Sequence, residues 1–334
     1  MPLLPDIKSD FYTEIEVSPD GNKVVFVSTP GQISVYDFRT SALTTYPNSE
    51  VNYAYDFTWL SNGDMLLYLG TIEESWLPDA RFGIYSVSLL TGKTFKVADW
   101  TDDRFQYGLH HIRLSKDDQW LVLDAARISE YYAAQDSDFV VYMLETVCLV
   151  SPQTCGESIR LVGDGHYPEW SPDGRLWWVC PQGTRSALCV AEVDSLESPQ
   201  VFLTVSVLGK SADAKFYGFA WSPDGEYAAI AVKQDKPNDP DHKRSEIFLI
   251  PADGSRPVRV TAASDENEYL EGWSPNSKYL VYSQVIGYTE PQGELGGRAL
   301  ITDLYLYDVK TRTKFDFVDA SGDREVFGFF MLIK

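Results

Sequence analysis

Short apolar, β-prone runs separated by one recurring kind of turn fill this chain. The clearest copy is Phe219-Ala220-Trp221, the turn Ser222-Pro223-Asp224-Gly225, then Tyr227-Ala228-Ala229-Ile230-Ala231-Val232. Pro223 presets φ, Asp224 can bond its own backbone and Gly225 accepts a positive φ, so two strands joined by a tight turn are predicted. The pattern repeats. Val17-Ser18-Pro19-Asp20-Gly21 precedes Lys23-Val24-Val25-Phe26-Val27, and Trp59-Leu60-Ser61-Asn62-Gly63 precedes Met65-Leu66-Leu67-Tyr68-Leu69. Leu114-Ser115-Lys116-Asp117-Asp118 precedes Trp120-Leu121-Val122-Leu123, and Trp170-Ser171-Pro172-Asp173-Gly174 precedes Leu176-Trp177-Trp178-Val179. Trp273-Ser274-Pro275-Asn276-Ser277 precedes Tyr279-Leu280-Val281-Tyr282. Aligned on serines 18, 61, 115, 171, 222 and 274, the copies are 43, 54, 56, 51 and 52 residues apart.

Each hairpin is followed by two more strand-like runs, as in Ile84-Tyr85-Ser86-Val87, the turn Thr91-Gly92, then Thr94-Phe95-Lys96-Val97. Four short strands in a repeat of roughly 50 residues make a propeller blade. The predicted fold is all-β: a six-bladed β-propeller of four-stranded antiparallel blades, closed so that no sheet edge stays open. Residues 1–10 read as a polar lead-in, 11–318 as one propeller domain, and 319–334 as a C-terminal strand that latches the ring or begins a missing seventh blade. Over 11–318 the Trp-Ser-Pro-Asp-Gly units resemble the TolB-type WD-like β-propeller repeat. That resemblance implies a scaffold that binds a protein or ligand, and it brings no catalytic residues. No stretch corresponds to the N-terminal α/β domain of TolB, so its role is not carried over.

In a four-stranded meander, the turns joining strands one to two and three to four share one face. The two-to-three loops and the crossovers to the next blade share the other. Here the first face has only tight turns, and every long insert lies on the second: 71–81, 127–137, 233–244 and 284–299, with crossovers 99–104 and 264–269. Long loops on a rigid scaffold carry binding residues. The candidate binding set is therefore Trp76, Arg81, Trp100, Asp102, Asp103, Arg104, Tyr131, Tyr132, Asp265, Glu266, Tyr269 and Tyr288.

Composition narrows the partner. A net charge of −21 argues against nucleic acid and anionic membranes, leaving solubility or a cationic partner as its meaning. No apolar run of 18 or more residues predicts a membrane-spanning helix. Cys148 with Cys155, and Cys180 with Cys189, each flank a turn, the latter centred on Thr184-Arg185. Two local disulfides, four free thiols or, least suited by spacing, a zinc site are the alternatives. The disulfide reading places the chain in the periplasm or outside the cell.

No nucleophile elbow, phosphate loop or H-E-x-x-H motif occurs. No catalytic residue, cofactor or metal ligand is predicted. A calcium ion shared by the crossover carboxylates remains a lesser alternative, although the D-x-[DN]-x-[DN]-G spacing is absent. Strand alternation would send His110 and His111 to opposite faces, and one of them would line the central channel with His166. The sequence therefore points to a non-catalytic binding scaffold for a protein, peptide or ligand. The alternative is a propeller enzyme, akin to lyases acting on acidic sugars or to a prolyl oligopeptidase-type accessory propeller lacking its hydrolase. A cluster of histidines with arginine and lysine at the channel mouth would favour the lyase.

Overall fold

The computed structural model describes residues 15–29, 32–48, 50–71, 82–98, 108–127, 136–146, 159–211, 213–236, 239–261, 267–288 and 300–318. Within them lie six four-stranded antiparallel blades arranged as a β-propeller. Blade one is β1 (Ile15–Val17), β2 (Lys23–Thr29), β3 (Gln32–Asp37) and β4 (Ala42–Pro47); blade two is β5 (Tyr53–Trp59), β6 (Met65–Thr71), β7 (Phe82–Ser88) and β8 (Thr94–Ala98). Blade three is β9 (Leu109–Leu114), β10 (Trp120–Ala126), β11 (Phe139–Glu145) and β12 (Arg160–Asp164); blade four is β13 (His166–Trp170), β14 (Leu176–Gln182), β15 (Arg185–Ala191) and β16 (Gln200–Thr204). Blade five is β17 (Lys215–Trp221), β18 (Tyr227–Lys236), β19 (Asp239–Pro251) and β20 (Val258–Arg259); blade six is β21 (Glu268–Trp273), β22 (Tyr279–Tyr288), β23 (Leu300–Asp308) and β24 (Thr313–Val318). Strand order within every sheet follows the sequence.

Two compact units make up the chain: residues 1–170 with 174–180 and 190–199, and residues 171–173 with 181–189 and 200–334. In the first unit the second strands are apolar without alternation, Leu66 to Leu69 all being fully buried, because strands packed between sheets bury both faces. Leu67, Leu69, Ile84, Ile112, Leu121 and Leu123 form one core cluster there. In the second unit Ala229, Ala231, Ile247, Leu249, Leu280 and Tyr282 form another.

The recurring turn works as its residues predict. Ser18 Oγ donates to Asp20 Oδ1 (2.7 Å) and accepts from Lys23 N (2.9 Å), while Asn22 N donates to Asp20 Oδ1 (3.0 Å). Ser222 and Ser274 repeat this, with Asn276 replacing the aspartate. These serines are buried, and the bonds satisfy them. Blade two differs from the serine alignment: Leu60 N bonds Met65 O and Gly63 N bonds Leu60 O, so Leu60 holds the first turn position and Ser61 the second.

The fourth turn position has positive φ in all six copies: Gly21, Gly63, Gly174 and Gly225, but also Asp118 (56°) and Ser277 (58°). Those two non-glycine residues each hold the preceding blade's turn. Asp118 accepts from Ser61 N (2.9 Å) and Ser61 Oγ (2.6 Å); Ser277 Oγ accepts from Asp224 N (2.9 Å). The motif tryptophans also join blades within a unit. Trp170 Nε1 donates to Arg113 O and Trp273 Nε1 to Ala220 O, each at 3.2 Å.

Two loops expected from composition are instead partly strand. β18 and β19 pair on to Lys236↔Asp239, and β22 and β23 on to Tyr288↔Leu300. The backbone ladder continues past the apolar core into polar residues, so the absence of an apolar pattern concealed it. Cys180 and Cys189 are disulfide-bonded across the β14–β15 hairpin. Its turn residues are Gly183 and Thr184, one place earlier than spacing suggested, because Gly183 takes the positive φ (62°).

Candidate functional site

The first strand of each blade runs from the crossover into the tight turn, and in blades two to six the ladder breaks within it. Register skips Asp56 in β5, His111 in β9, Tyr167 and Pro168 in β13, Tyr217 and Gly218 in β17, and Glu271 in β21. Asp56, His111, Tyr167 and Gly218 each stand four residues before the first turn position (60, 115, 171 and 222). Three of them are non-glycine residues held at positive φ: Asp56 (45°), His111 (42°) and Tyr167 (52°). Such a conformation costs about 1 kcal/mol or more at each residue. A bulge re-aims the side chain it carries. Here three successive blades of the first unit re-aim a polar side chain at the end of the strand that leads into the crossovers.

These side chains form one connected cluster. Asp56 accepts from Ile112 N and from Arg113 Nη1 (2.6 Å), and Arg113 Nε pairs with Glu169 Oε2 at 3.0 Å. His111 Nδ1 lies 3.2 Å from both carboxylate oxygens of Asp124, whose Oδ2 also accepts from Tyr167 N (3.0 Å). His166 Nε2 stands 3.4 Å from Asp136 Oδ1. Aromatic rings close the arrangement: His111 to Tyr167 at 4.2 Å, His166 to Tyr167 at 4.4 Å and Phe139 to His166 at 5.0 Å.

Asp124 is fully buried, yet His111, Arg113 and Glu169 keep side-chain exposures of 26%, 32% and 21%. Their charges are nonetheless heavily desolvated. Groups both hemmed in and still reached by solvent line a recess, not a convex surface. Burial pushes the Glu169 carboxyl up to about 7; Arg113 opposes that and Asp56 adds to it. Burial pushes His110 down to about 4, partly offset by Asp124. For His111 burial disfavours the imidazolium, but the Asp124 carboxylate outweighs it and the pKa rises. Arg113 Nη2, His111 Nε2 and Glu169 Oε1 have no hydrogen-bond partner among the described residues.

In the second unit, Ser283 Oγ donates to Glu271 Oε1 (2.5 Å), and burial raises that carboxyl. Tyr217 lies beside it, with Lys233 Nζ 4.8 Å from the ring centroid. Tyr269, on β21, is half-buried with its ring 6.4 Å from that of Tyr217.

Of the sequence-predicted binding set, Trp76, Arg81, Trp100, Asp102, Asp103, Arg104, Tyr131, Tyr132, Asp265 and Glu266 lie outside the described residues, as do Cys148, Cys155 and the 319–334 segment. Tyr288 ends β22, and its side chain lies outside the description as well. His110, His111 and His166 do gather. Simple alternation fails for the adjacent pair, because the bulge at His111 brings their ring centroids to 6.3 Å. Asp56, Arg113, Asp124 and Glu169 were not singled out from sequence. Their signal was there: a lone carboxylate inside Trp120-Leu121-Val122-Leu123-Asp124-Ala125-Ala126, and another inside Tyr53-Ala54-Tyr55-Asp56-Phe57. Among the described residues no group of three or more His, Cys, Asp or Glu is set to hold a metal ion, and no helix is long and apolar enough to cross a membrane.

Fold and site together define a propeller with a polar recess at the start of its first strands. No protein-family model matches the chain, and no curated protein matches its sequence. Solved structures do match. A prolyl endopeptidase is similar over 93% of this chain and 42% of its own, at 16% identity and a TM-score of 0.61. An oligogalacturonate lyase from Vibrio parahaemolyticus is similar over 88% of this chain and 76% of its own, at 12% identity and a TM-score of 0.57. The hydrazine synthase of Kuenenia stuttgartiensis is similar over 95% and 98%, at 13% identity and a TM-score of 0.55. At such identities the likeness is one of fold. The chain spans less than half the length of the prolyl endopeptidase.

Proposed function

We propose that this chain is a binding scaffold of TolB-type repeat that works outside the cytoplasm. It captures a protein or peptide on its loop-bearing face, and the polar recess is the floor of that site. The observation that carries this reading is the repeated bulge. Three non-glycine residues in successive blades, Asp56, His111 and Tyr167, are held at positive φ, and their side chains meet in the same polar cluster. The long inserts and crossovers start from the same strand ends. Arg113 is held by Asp56, and His111 by Asp124, which suits recognition by pre-set donors and acceptors. The Cys180–Cys189 disulfide supports an oxidising compartment.

The test is recovery of a partner from an extracytoplasmic extract by the intact chain, against the Trp76→Ala/Tyr132→Ala variant and against Glu169→Gln. The reading expects a partner retained by the wild type and diminished in both variants. Equal recovery by all three overturns it.

One observation favours an enzyme as the second reading. Glu169, with its carboxyl near neutrality, and His111, with a free Nε2, face one recess, as acid–base pairs do. Two of the structural neighbours, the prolyl endopeptidase and the oligogalacturonate lyase, are propeller enzymes. Turnover of proline-containing peptides or oligogalacturonate that disappears in Glu169→Gln would replace the scaffold reading with this one.

A further inference from the structure

We infer that the bulged start of β13 is a proton-operated element of the recess: a proton on Glu169 keeps it seated against blade three, and loss of that proton lets it swing toward solvent. This deepens the binding-scaffold reading by giving its site a control, and in that respect it rests on that reading. β13 pairs with β14 at His166↔Val179, Glu169↔Trp177 and Trp170↔Leu176, and Tyr167 and Pro168 drop out of that register. Tyr167 is held at a φ of 52°, and Gly165, immediately before the strand, at 133°. Pro168 has no N–H to give to a ladder. Blade three seats the segment instead. Asp124 Oδ2 accepts from Tyr167 N (3.0 Å), Arg113 O accepts from Trp170 Nε1 (3.2 Å), and Arg113 Nε stands 3.0 Å from Glu169 Oε2. A strained segment tied from outside its own sheet is one that a change in a single tie can free.

Of these ties, the one at Glu169 depends on a proton. The carboxyl is desolvated by its surroundings yet keeps 21% of its side-chain surface, so protons reach it. Neutral, it accepts from Arg113 Nε and carries no charge to desolvate. Ionised, it carries a burial penalty that Arg113 offsets in part and Asp56 enlarges, and movement into water relieves it. The seated carboxyl is pushed up to about 7 against an ordinary 4.5, so a rise in pH from the lower value to the higher favours release. Arg113 and His111 act on it from β9 and Asp56 from β5, whereas β14 carries no charged side chain. Asp124 of β10 holds His111 and Tyr167 N, and His166 and Tyr167 lie on β13 itself. Asp124 draws the His111 imidazole upward, so His111 keeps its proton over most of that window and does not supply the change.

Hydrogen–deuterium exchange of the intact chain alone tests this, at about pH 5 and about pH 7.5, corrected for the intrinsic pH dependence of amide exchange. Protection of residues 166–170 is expected to fall at least about tenfold at the higher pH, with protection of 120–126 in β10 unchanged. In Glu169→Gln, whose amide stays neutral and still accepts from Arg113, the fall should vanish. The wild-type contrast between the two segments keeps the test decisive if the variant does not fold. Equal protection of 166–170 at both pH values, the same fall in Glu169→Gln, or a matching fall across 120–126 overturns the inference. Partner capture answers separately, and retention should be weaker at about pH 7.5. A partner retained equally at both pH values overturns the control of recognition; no retained partner, with the exchange contrast present, sinks the scaffold reading alone.

Discussion

Glu169 and His110 are displaced in opposite directions by the same cause, burial, and their two contributions to the pH dependence of stability oppose each other. Glu169 has a folded pKa of about 7 against an ordinary 4.5, so between those values the native state binds more protons and stability falls as pH rises. His110 has a folded pKa of about 4 against 6.5, so over an overlapping window the unfolded state binds more protons and stability falls as pH drops. The two slopes are comparable and opposed. Glu169→Gln removes the first and should leave the protein more acid-sensitive than the wild type between pH 6.5 and 4.5. Urea unfolding midpoints across that range check this; parallel profiles for the two proteins would show that Glu169 does not titrate as its surroundings require. At this scale the sequence was only partly readable. His110, His111 and His166 were visible as scarce residues at strand starts. Glu169 was not, because a carboxylate beside Trp170 reads as the solvent face of an ordinary strand until the bulge turns it inward.

A single turn repeated six times shows how an imperfect copy acquires a purpose. Glycine is the easy residue at a positive φ, and two copies forgo it for Asp118 and Ser277. Each spends that strain on a bond to the neighbouring blade's turn. Asp118→Gly relieves roughly 1 kcal/mol of backbone strain. It forfeits three contacts with Ser61, two to the backbone N–H and one to the hydroxyl, and a net loss of about 1–2 kcal/mol is expected. Ser277→Gly gives up one neutral bond for the same relief and should be close to neutral, within about 0.5 kcal/mol. Chemical denaturation of both variants checks the contrast; the reverse order would show that the inter-blade bonds do not matter. The degenerate copies were legible as departures from Ser-Pro-Asp-Gly. Their reason was not, since it lies in a blade more than 50 residues away.

The hairpin of β14 and β15 carries its own prediction. Opening the Cys180–Cys189 bond, which closes a ten-residue segment, should lower stability by about 2–3 kcal/mol. Reductant should therefore move the wild-type unfolding midpoint by more than it moves that of Cys180→Ser/Cys189→Ser. Unaltered behaviour of the wild type in reductant would contradict it. The pairing was readable from two cysteines flanking a turn. The turn centre was misplaced by one residue, because symmetry between cysteines was used where Gly183 decides.

For the molecule as a whole, architecture came through the sequence nearly intact and the site did not. Repeats announce a propeller because every blade must solve the same burial problem with the same residues, Trp170 and Trp273 among them. A site is where that solution is broken, and breaks do not repeat in composition: the bulge position is Asp56, His111, Tyr167 and Gly218 in turn. Only its distance from the turn is constant, and that becomes visible once Leu60, not Ser61, is seen to open the turn of blade two. The account's central claim is that recognition happens at the crossover end of the first strands, away from the recurring turns. Hydrogen–deuterium exchange of the chain with and without its captured partner tests this most directly. Protection is predicted at residues 109–114 and 166–170 and in the adjoining loops, with the turns at 18–21, 115–118 and 222–225 unchanged. Protection confined to those turns would contradict it.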